Sequence, residues 1–267
     1  MEWLKSDLHL HSGEDKFDII PYSVFDLIDR CSQLNFKVIA LTNHRIMTYN
    51  EAWRDYAAER EILLIPGVEA NILGSHVVIL NADADANGLN NFENLKSYKQ
   101  SHDVFVFAPH PFYSSGICLR NKLIDNVELF DGIEHHHYYT KSYNPNRKAR
   151  TFAEEHNLPF IANSDCHHLD HLGRTYSYLL ADPTVDSVLT ALRQGDVKIV
   201  TEPLSTREAI NLMIYLRVGQ SKRMVRQLLR NIGLLPDPYE EQAELQIHQK
   251  DKPASISRPS NTITGRS

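Results

Sequence analysis

Cysteine is scarce: Cys31, Cys118 and Cys166 are the only three, an odd number spread across 267 residues. They supply neither a disulfide framework nor a Cys-x-x-Cys zinc site, so buried free thiols are expected. Also missing is any apolar run near the roughly 20 residues that a membrane-spanning helix needs, and no membrane partner is expected. The first ten residues include Glu2, Lys5 and Asp7, which is unlike the apolar core of a signal peptide and gives a cytoplasmic expectation. A basic excess is lacking too: 28 Lys and Arg stand against 34 Asp and Glu, a net charge of −6 with His neutral. That balance argues against a broad basic face for duplex nucleic acid, while leaving room for a local basic cleft.

Hydrophobic residues at 42% and charged residues at 23% match an ordinary globular chain, long enough for one large domain. Apolar runs at residues 5–11, 37–42, 62–68, 76–80, 104–108, 131–134, 159–162 and 198–200 alternate with amphipathic stretches at 21–34, 50–60, 89–101, 146–156 and 185–193. The alternation predicts an α/β fold of about seven strand-helix units closed into one barrel over residues 1–203. Two helices, 206–215 and 222–231, are expected in a C-terminal helical extension over 204–235. The second carries Lys222, Arg223, Arg226 and Arg230, most simply as a solvated face, with an anionic partner as the alternative. Residues 236–267 turn polar and rich in Pro and Ser, the composition of a disordered tail.

The unusual count is 14 histidines, gathered where strands end. Strand C-termini of a parallel barrel converge on one face, and the two-residue period of a strand puts Asp7, His9 and His11 on one side. Asn43 and His44 end the second strand, Glu69 the third, and His76 begins the next. His110 follows a further strand, and Asp165 and His167 follow the last of the set. A lone histidine is more often a satisfied core or surface residue; the joint pattern points to metal. Imidazole and carboxylate donors without thiolate suit Zn, Mn or Fe. Eight or nine such ligands exceed what one ion uses, so two or three divalent ions and hydrolytic chemistry on a phosphoryl group are expected.

The segments Asp7-Leu-His-Leu-His-Ser12, Ala40-Leu-Thr-Asn-His44, Pro66-Gly-Val-Glu69, His110-Pro111 and Ser164-Asp-Cys-His167, taken in order, resemble the PHP family, named for polymerases and histidinol phosphatases. The resemblance runs from Ser6 to about Ser177. It implies a distorted (β/α)7 TIM-like barrel, a trinuclear metal site and phosphoester hydrolysis, with His9, His11, His44, Glu69, His76, His110, Asp165 and His167 as ligands. The family usually has a further ligand soon after the first motif, where Asp15 and Asp18 are the favoured candidates beside Glu14. It commonly has Asp where this chain has Asn43.

Arg174 is the first candidate for gripping a phosphate, ahead of Arg45, Arg147 and Lys148. His168 or His171 could protonate a leaving group. Of the run His135, His136 and His137, at most one can enter the cleft, because consecutive strand residues alternate faces. Cys166 is expected to pack away from the site, and residues 112–119 and 135–144 to wall a pocket. A small phosphorylated substrate is the expected partner, with an oligonucleotide end as the alternative; the oligomeric state is left open. The competing functions are an amidohydrolase-like metal hydrolase and a non-catalytic module of the same fold.

Overall fold

The computed structural model describes residues 1–239, so most of the tail expected at 236–267 lies outside the described residues. The first strand, β1 (Glu2–Leu10), leads through a long loop to α1 (Val24–Gln33). Ser23 and Asp26 form a reciprocal capping box at the start of α1, which buries Val24, Leu27, Ile28 and Cys31 on one side. There follow β2 (Val38–Leu41), α2 (Glu51–Ala58), β3 (Leu63–Ile72), β4 (Ser75–Leu80), α3 (Phe92–Ser101), β5 (Phe105–Ala108) and α4 (Asn121–Asp125). The remainder is β6 (Gly132–His136), α5 (Asn146–Glu155), β7 (Phe160–Asn163), β8 (Tyr176–Ala181), α6 (Val185–Gln194), β9 (Val197–Val200) and α7 (Thr206–Asn231).

All nine strands join one sheet in the order β7-β6-β5-β4-β3-β2-β1-β8-β9. It is nearly closed: a parallel bridge joins Leu10 to Cys166, just beyond β7. The Leu8 amide also donates to Asn163 Oδ1 at 2.9 Å, and the Ser164 amide to Asp7 Oδ1 at 3.2 Å. Burial raises the Asp7 carboxyl to about 7, against the hydrogen bonds from Ser164 and His9 that favour its charged form. The α/β barrel architecture expected from sequence is therefore present.

Three details differ from expectation. The sheet is mixed: β4 runs antiparallel to both β3 and β5, and β8 antiparallel to β1 and β9. The strand β8 has no counterpart in the sequence reading, because apolar residues occupy both of its faces and blur the alternation. Its odd-numbered members Ser177, Leu179 and Ala181 are buried. Finally, the two helices expected at 206–215 and 222–231 are one 26-residue helix, α7, that runs through Gly219. The local cost of that glycine, about 1 kcal/mol, is not enough to break it.

Helices cover the sheet by flanks. Leu27 and Ile28 of α1 and Ala57 of α2 pack with Ile39 and Leu64. Leu95 of α3 and Ala149 and Phe152 of α5 join Val77, Val106 and Ile133, and Val188, Leu189 and Leu192 of α6 meet Leu4, Leu179 and Ala181. Among the described residues no helix is long and apolar enough to cross a membrane.

Candidate metal centre

The strand ends deliver their polar residues to one point. β1 supplies His9 and His11, the end of β2 His44, β3 Glu69, the end of β5 His110, and the end of β7 Asp165 and His167. His76 stands at the opposite end of its strand. Because β4 is reversed, with Asn71 paired to His76 across the β3–β4 hairpin, that start lies beside the other strands' ends. Nearly all of these residues are buried.

Glu69 is the centre of the cluster. Its Oε1 lies 2.6 Å from His76 Nδ1, 3.2 Å from His110 Nε2 and 3.4 Å from His9 Nε2. Its Oε2 lies 3.1 Å from His44 Nε2 and 3.4 Å from His11 Nε2. Asp165 Oδ1 approaches His11 Nε2 at 3.0 Å and His9 Nε2 at 3.4 Å. Three overlapping groups of converging ligand atoms result: His9, His11, Glu69 and Asp165; His11, His44 and His167; His44, Glu69 and His76.

Many of these contacts are close without being hydrogen bonds in direction. His9 Nε2, both ring nitrogens of His11, His76 Nδ1 and Asp165 Oδ1 are buried and make no hydrogen bond among the described residues. Leaving such atoms unsatisfied costs about 1–3 kcal/mol each, so their convergence fits positive charge at their common focus. The donor set is nitrogen and oxygen only. Cys166 is buried with Leu10, Tyr22 and Leu172 and packs as expected.

Outer partners fix the rings. Glu134 Oε1 accepts from His9 Nδ1 at 2.8 Å, which turns Nε2 toward the cluster, and Asp15 Oδ2 does the same for His44 through Nδ1 at 2.7 Å. Carboxylate-to-imidazole contacts of this kind orient metal ligands and raise their basicity. Burial acts to lower the His44 imidazole, yet Asp15 and Glu69 beside it raise it to about 9. Burial dominates at His76 and His136, which fall to about 4 and about 3 and so are neutral, with a lone pair to offer, at physiological pH.

Asp15 and Asp18, equal candidates by sequence, are separated by their surroundings. Asp15 is saturated: Oδ1 accepts from the Phe17 and Asp18 amides, and Oδ2 from His44 at both its amide and its ring. Asp18 lies 3.2 Å from His167 Nε2, contacts the Arg223 guanidinium, and faces the cavity. Asn43 uses both ends of its amide. Its Oδ1 takes the Ser12 amide at 2.9 Å, and Nδ2 donates to Ser12 Oγ at 3.1 Å and Thr48 Oγ1 at 2.7 Å. An aspartate could not make the two donations.

The backbone is strained at the same place. Arg45, His110 and Asp165 have φ of 61°, 33° and 46°, a left-handed region costing roughly 1–3 kcal/mol for such residues and concentrated at functional sites.

A cavity of about 720 Å³ opens over the cluster. Its walls include Tyr113, Ser114 and Ser115 from one expected loop and Tyr138 and Tyr143 from the other, and one side is formed by α7 through Arg223, Arg226 and Arg230. Arg45 also faces it, its guanidinium 4.9 Å from the Phe17 ring centre. Of the triple-histidine run, His136 enters, 3.0 Å from Asp165 Oδ2. His135 turns away to Thr201 at 3.0 Å, and His137 stacks on His136.

Two sequence candidates stand apart. Arg174 pairs with Glu208 at 2.5 Å in a separate pocket with Lys141 and Ser205. His168 is half-exposed and its Nδ1 caps a short turn at the Asp170 amide. Neither lines the cavity over the cluster. Conversely, the roles of Glu134 and His136 were missed, although their i, i+2 spacing on a strand signals a shared face. The arginines of α7 were noted without a destination, since only tertiary structure brings the helix back across residues 16–18.

The PHP-associated family model matches residues 144–197. No curated protein sequence matches the chain. Among solved structures, the fold is similar to a two-domain protein from Bacteroides vulgatus ATCC 8482 that contains a predicted PHP-like metal-dependent phosphoesterase. That match has a TM-score of 0.61 and 19% identity over 75% of this chain and 65% of the other. PsfC from Pseudomonas syringae PB-5123 matches with TM-score 0.55 and 13% identity, covering 83% and 99% of the two chains. The lesion-specific endonuclease PfuEndoQ from Pyrococcus furiosus matches with TM-score 0.54 and 16% identity over 74% and 58%. The chain thus spans under two thirds of the first of these structures, and at such identities the likeness is one of fold. The PHP-associated match is confined to 54 of the 267 residues, and the barrel is similar in fold to a structure containing a PHP-like domain.

Proposed function

We propose that the protein is a metal-dependent phosphoesterase acting on a small phosphorylated substrate. The observation that carries this reading is the shared use of Glu69, His11 and His44 by three overlapping ligand groups, with buried ring nitrogens that no protein donor satisfies. His9, His11, Glu69 and Asp165 would hold one ion. His11, His44 and His167 would hold a second, with Asp18 beside His167 and Asp15 orienting His44, and His44, Glu69 and His76 a third, with His110 beside Glu69. When bound, divalent ions such as Zn, Mn or Fe supply Lewis-acid charge to a phosphoester and make water nucleophilic near neutral pH.

The chain's own residues do the rest. Glu134 and Asp15 hold two imidazoles in their ligating tautomers. Among the described residues, Arg226 and Arg45 meet only neutral partners, the Asp18 carbonyl at 2.9 Å and the Phe17 ring, so their charge is available to phosphate oxygens. Tyr113, Tyr138 and Tyr143 offer flat faces to the rest of the substrate. The wall made by α7 favours a small molecule or a short end over a duplex. Arg174 and His168 have no part in this proposal.

Elemental analysis of the purified full chain, followed on the same sample by phosphate release from phosphomonoesters and short oligonucleotides with and without chelator, tests it. Two or more ions per chain with chelator-sensitive release from small esters is the expected result. A chain that neither binds Mn, Fe or Zn nor hydrolyses any ester after their addition refutes it.

A further inference from the structure

The helix α7 is amphipathic in an unusual sense. Leu212 is buried, and Leu216, Arg223, Arg226 and Arg230 turn toward the barrel, while Ile210, Ile214, Val218, Val225, Leu228 and Ile232 are exposed. Spaced three, four or seven apart, these six share one face of a helix with 3.6 residues per turn, and Met213 and Met224 flank them. From Ile210 to Ile232 this run of apolar side chains along the helix is about 33 Å long. Isolated exposed apolar residues are ordinary, but a contiguous stripe marks a surface that is covered.

We propose that this face is the interface of a symmetric dimer, formed by antiparallel packing of α7 against α7 of a second copy about a two-fold axis at Ser221. Counting outward from Ser221, residues at equal distance meet across such an axis. Ile210 then faces Ile232, Ile214 faces Leu228, Val218 faces Met224 and Arg217 faces Val225. Five of the six apolar members of the stripe find apolar partners, Val225 lies against the aliphatic stem of Arg217, and Ser221, small and polar, sits where the two helices approach on the axis. A parallel pair would instead set Arg217 against Arg217 in the middle of the stripe, a like-charge contact that disfavours it. An isologous patch of this kind is what a two-fold dimer requires.

Residues 240–267 are a poorer occupant. They hold four large apolar residues, Leu245, Ile247, Ile256 and Ile263, two of them only two apart and the others seven or more away. That spacing cannot cover the length of the stripe from one side. A second copy supplies the complement in full.

The size of the interface sets its strength. A strip about 33 Å by 10 Å presents roughly 330 Å² in projection, and the accessible area of a ridged surface is larger. The pair therefore lies at the low end of specific interfaces, below the standard size of about 1,600 Å² in total, so the dimer dissociates on dilution. Its consequence for the site is direct, since the opposite face of the same helix carries Arg223, Arg226 and Arg230 to the cavity.

Sedimentation or light scattering of the full chain over a concentration series tests the proposal. The expected result is a shift from one to two chains per particle, absent in Leu228→Glu with its helical circular dichroism retained. A second test does not depend on affinity. Ser221→Cys should form an intermolecular disulfide on oxidation and Ile210→Cys should not, with Cys31, Cys118 and Cys166 silent because they are buried. A chain that stays single at every concentration, or Ile210→Cys cross-linking as readily as Ser221→Cys, overturns the arrangement.

Discussion

Glu134 and His9 are joined at 2.8 Å with both side chains wholly buried, and the second carboxylate oxygen of Glu134 takes the His110 amide at 2.7 Å. One residue on β6 thus sets the ring of one candidate ligand on β1 and the backbone of another after β5. Glu134→Gln keeps the shape and removes the charge. Such outer-partner changes weaken metal binding about 10–100-fold, and a titration with a competing chelator should show this with the fold unchanged. Metal affinity equal to wild type would dismiss the role given to Glu134.

His11→Ala and Asp165→Ala should each abolish phosphoester hydrolysis while circular dichroism stays native, because the cluster sits on an already packed barrel. Stoichiometry by elemental analysis should fall in parallel. Retained turnover in either variant contradicts the site.

Asn43→Asp introduces the residue usual at this position in the family that the motifs resemble, and should nevertheless destabilise this chain. It strips Ser12 Oγ and Thr48 Oγ1 of their donor and adds a buried charge. A loss of about 1–3 kcal/mol follows from one unsatisfied buried group, readable in urea unfolding. An unchanged midpoint would show that the network is dispensable.

Arg226→Ala should raise KM for a phosphoester about 10-fold or more, as expected for losing a charged hydrogen bond of about 1.5–3 kcal/mol, with kcat changed less. A fall confined to kcat would assign the guanidinium to another step.

The start of α7 should respond to acid. Hydrogen bonds from Arg174 and Ser205 hold the Glu208 carboxyl down at about 2. A carboxyl depressed on folding contributes stability above its unfolded pKa, near 4.3, and loses it as pH falls toward 2. Solvent screens this half-exposed pair, so the effect should be local. Protection of the first-turn amides of α7, relative to exchange in the unfolded chain, should fall as pH drops from about 4 to 2, and should not change over that range in Glu208→Gln.

The barrel and most of the residues that converge on Glu69 were legible in the sequence because strand periodicity and strand ends are local signals. His9 with His11, and Asp165 with His167, are two-residue patterns that need no tertiary knowledge. The choice between Asp15 and Asp18 was not legible. It depends on which carboxylate the His44 amide and ring consume, a contact across 29 residues. Arg174 misled for the same reason: adjacency to a ligand in sequence says nothing of direction, and its partner Glu208 lies 34 residues on. The α7 arginines reach Asp18 and Lys16 across more than 200 residues. The two helices expected at 206–215 and 222–231 are continuous through residues 216–221 as one helix.

The hairpin that delivers His76 has a two-residue turn, Leu73 and Gly74, both with positive φ at 50° and 82°. That turn type fixes the pairing of Asn71 with His76. The hairpin therefore works as a ruler. Surface turns usually tolerate insertions, and this one is exposed. One added residue, however, would slip the register and send the imidazole to the other face of the sheet, so a length change at the periphery would be felt as a missing ligand at the centre.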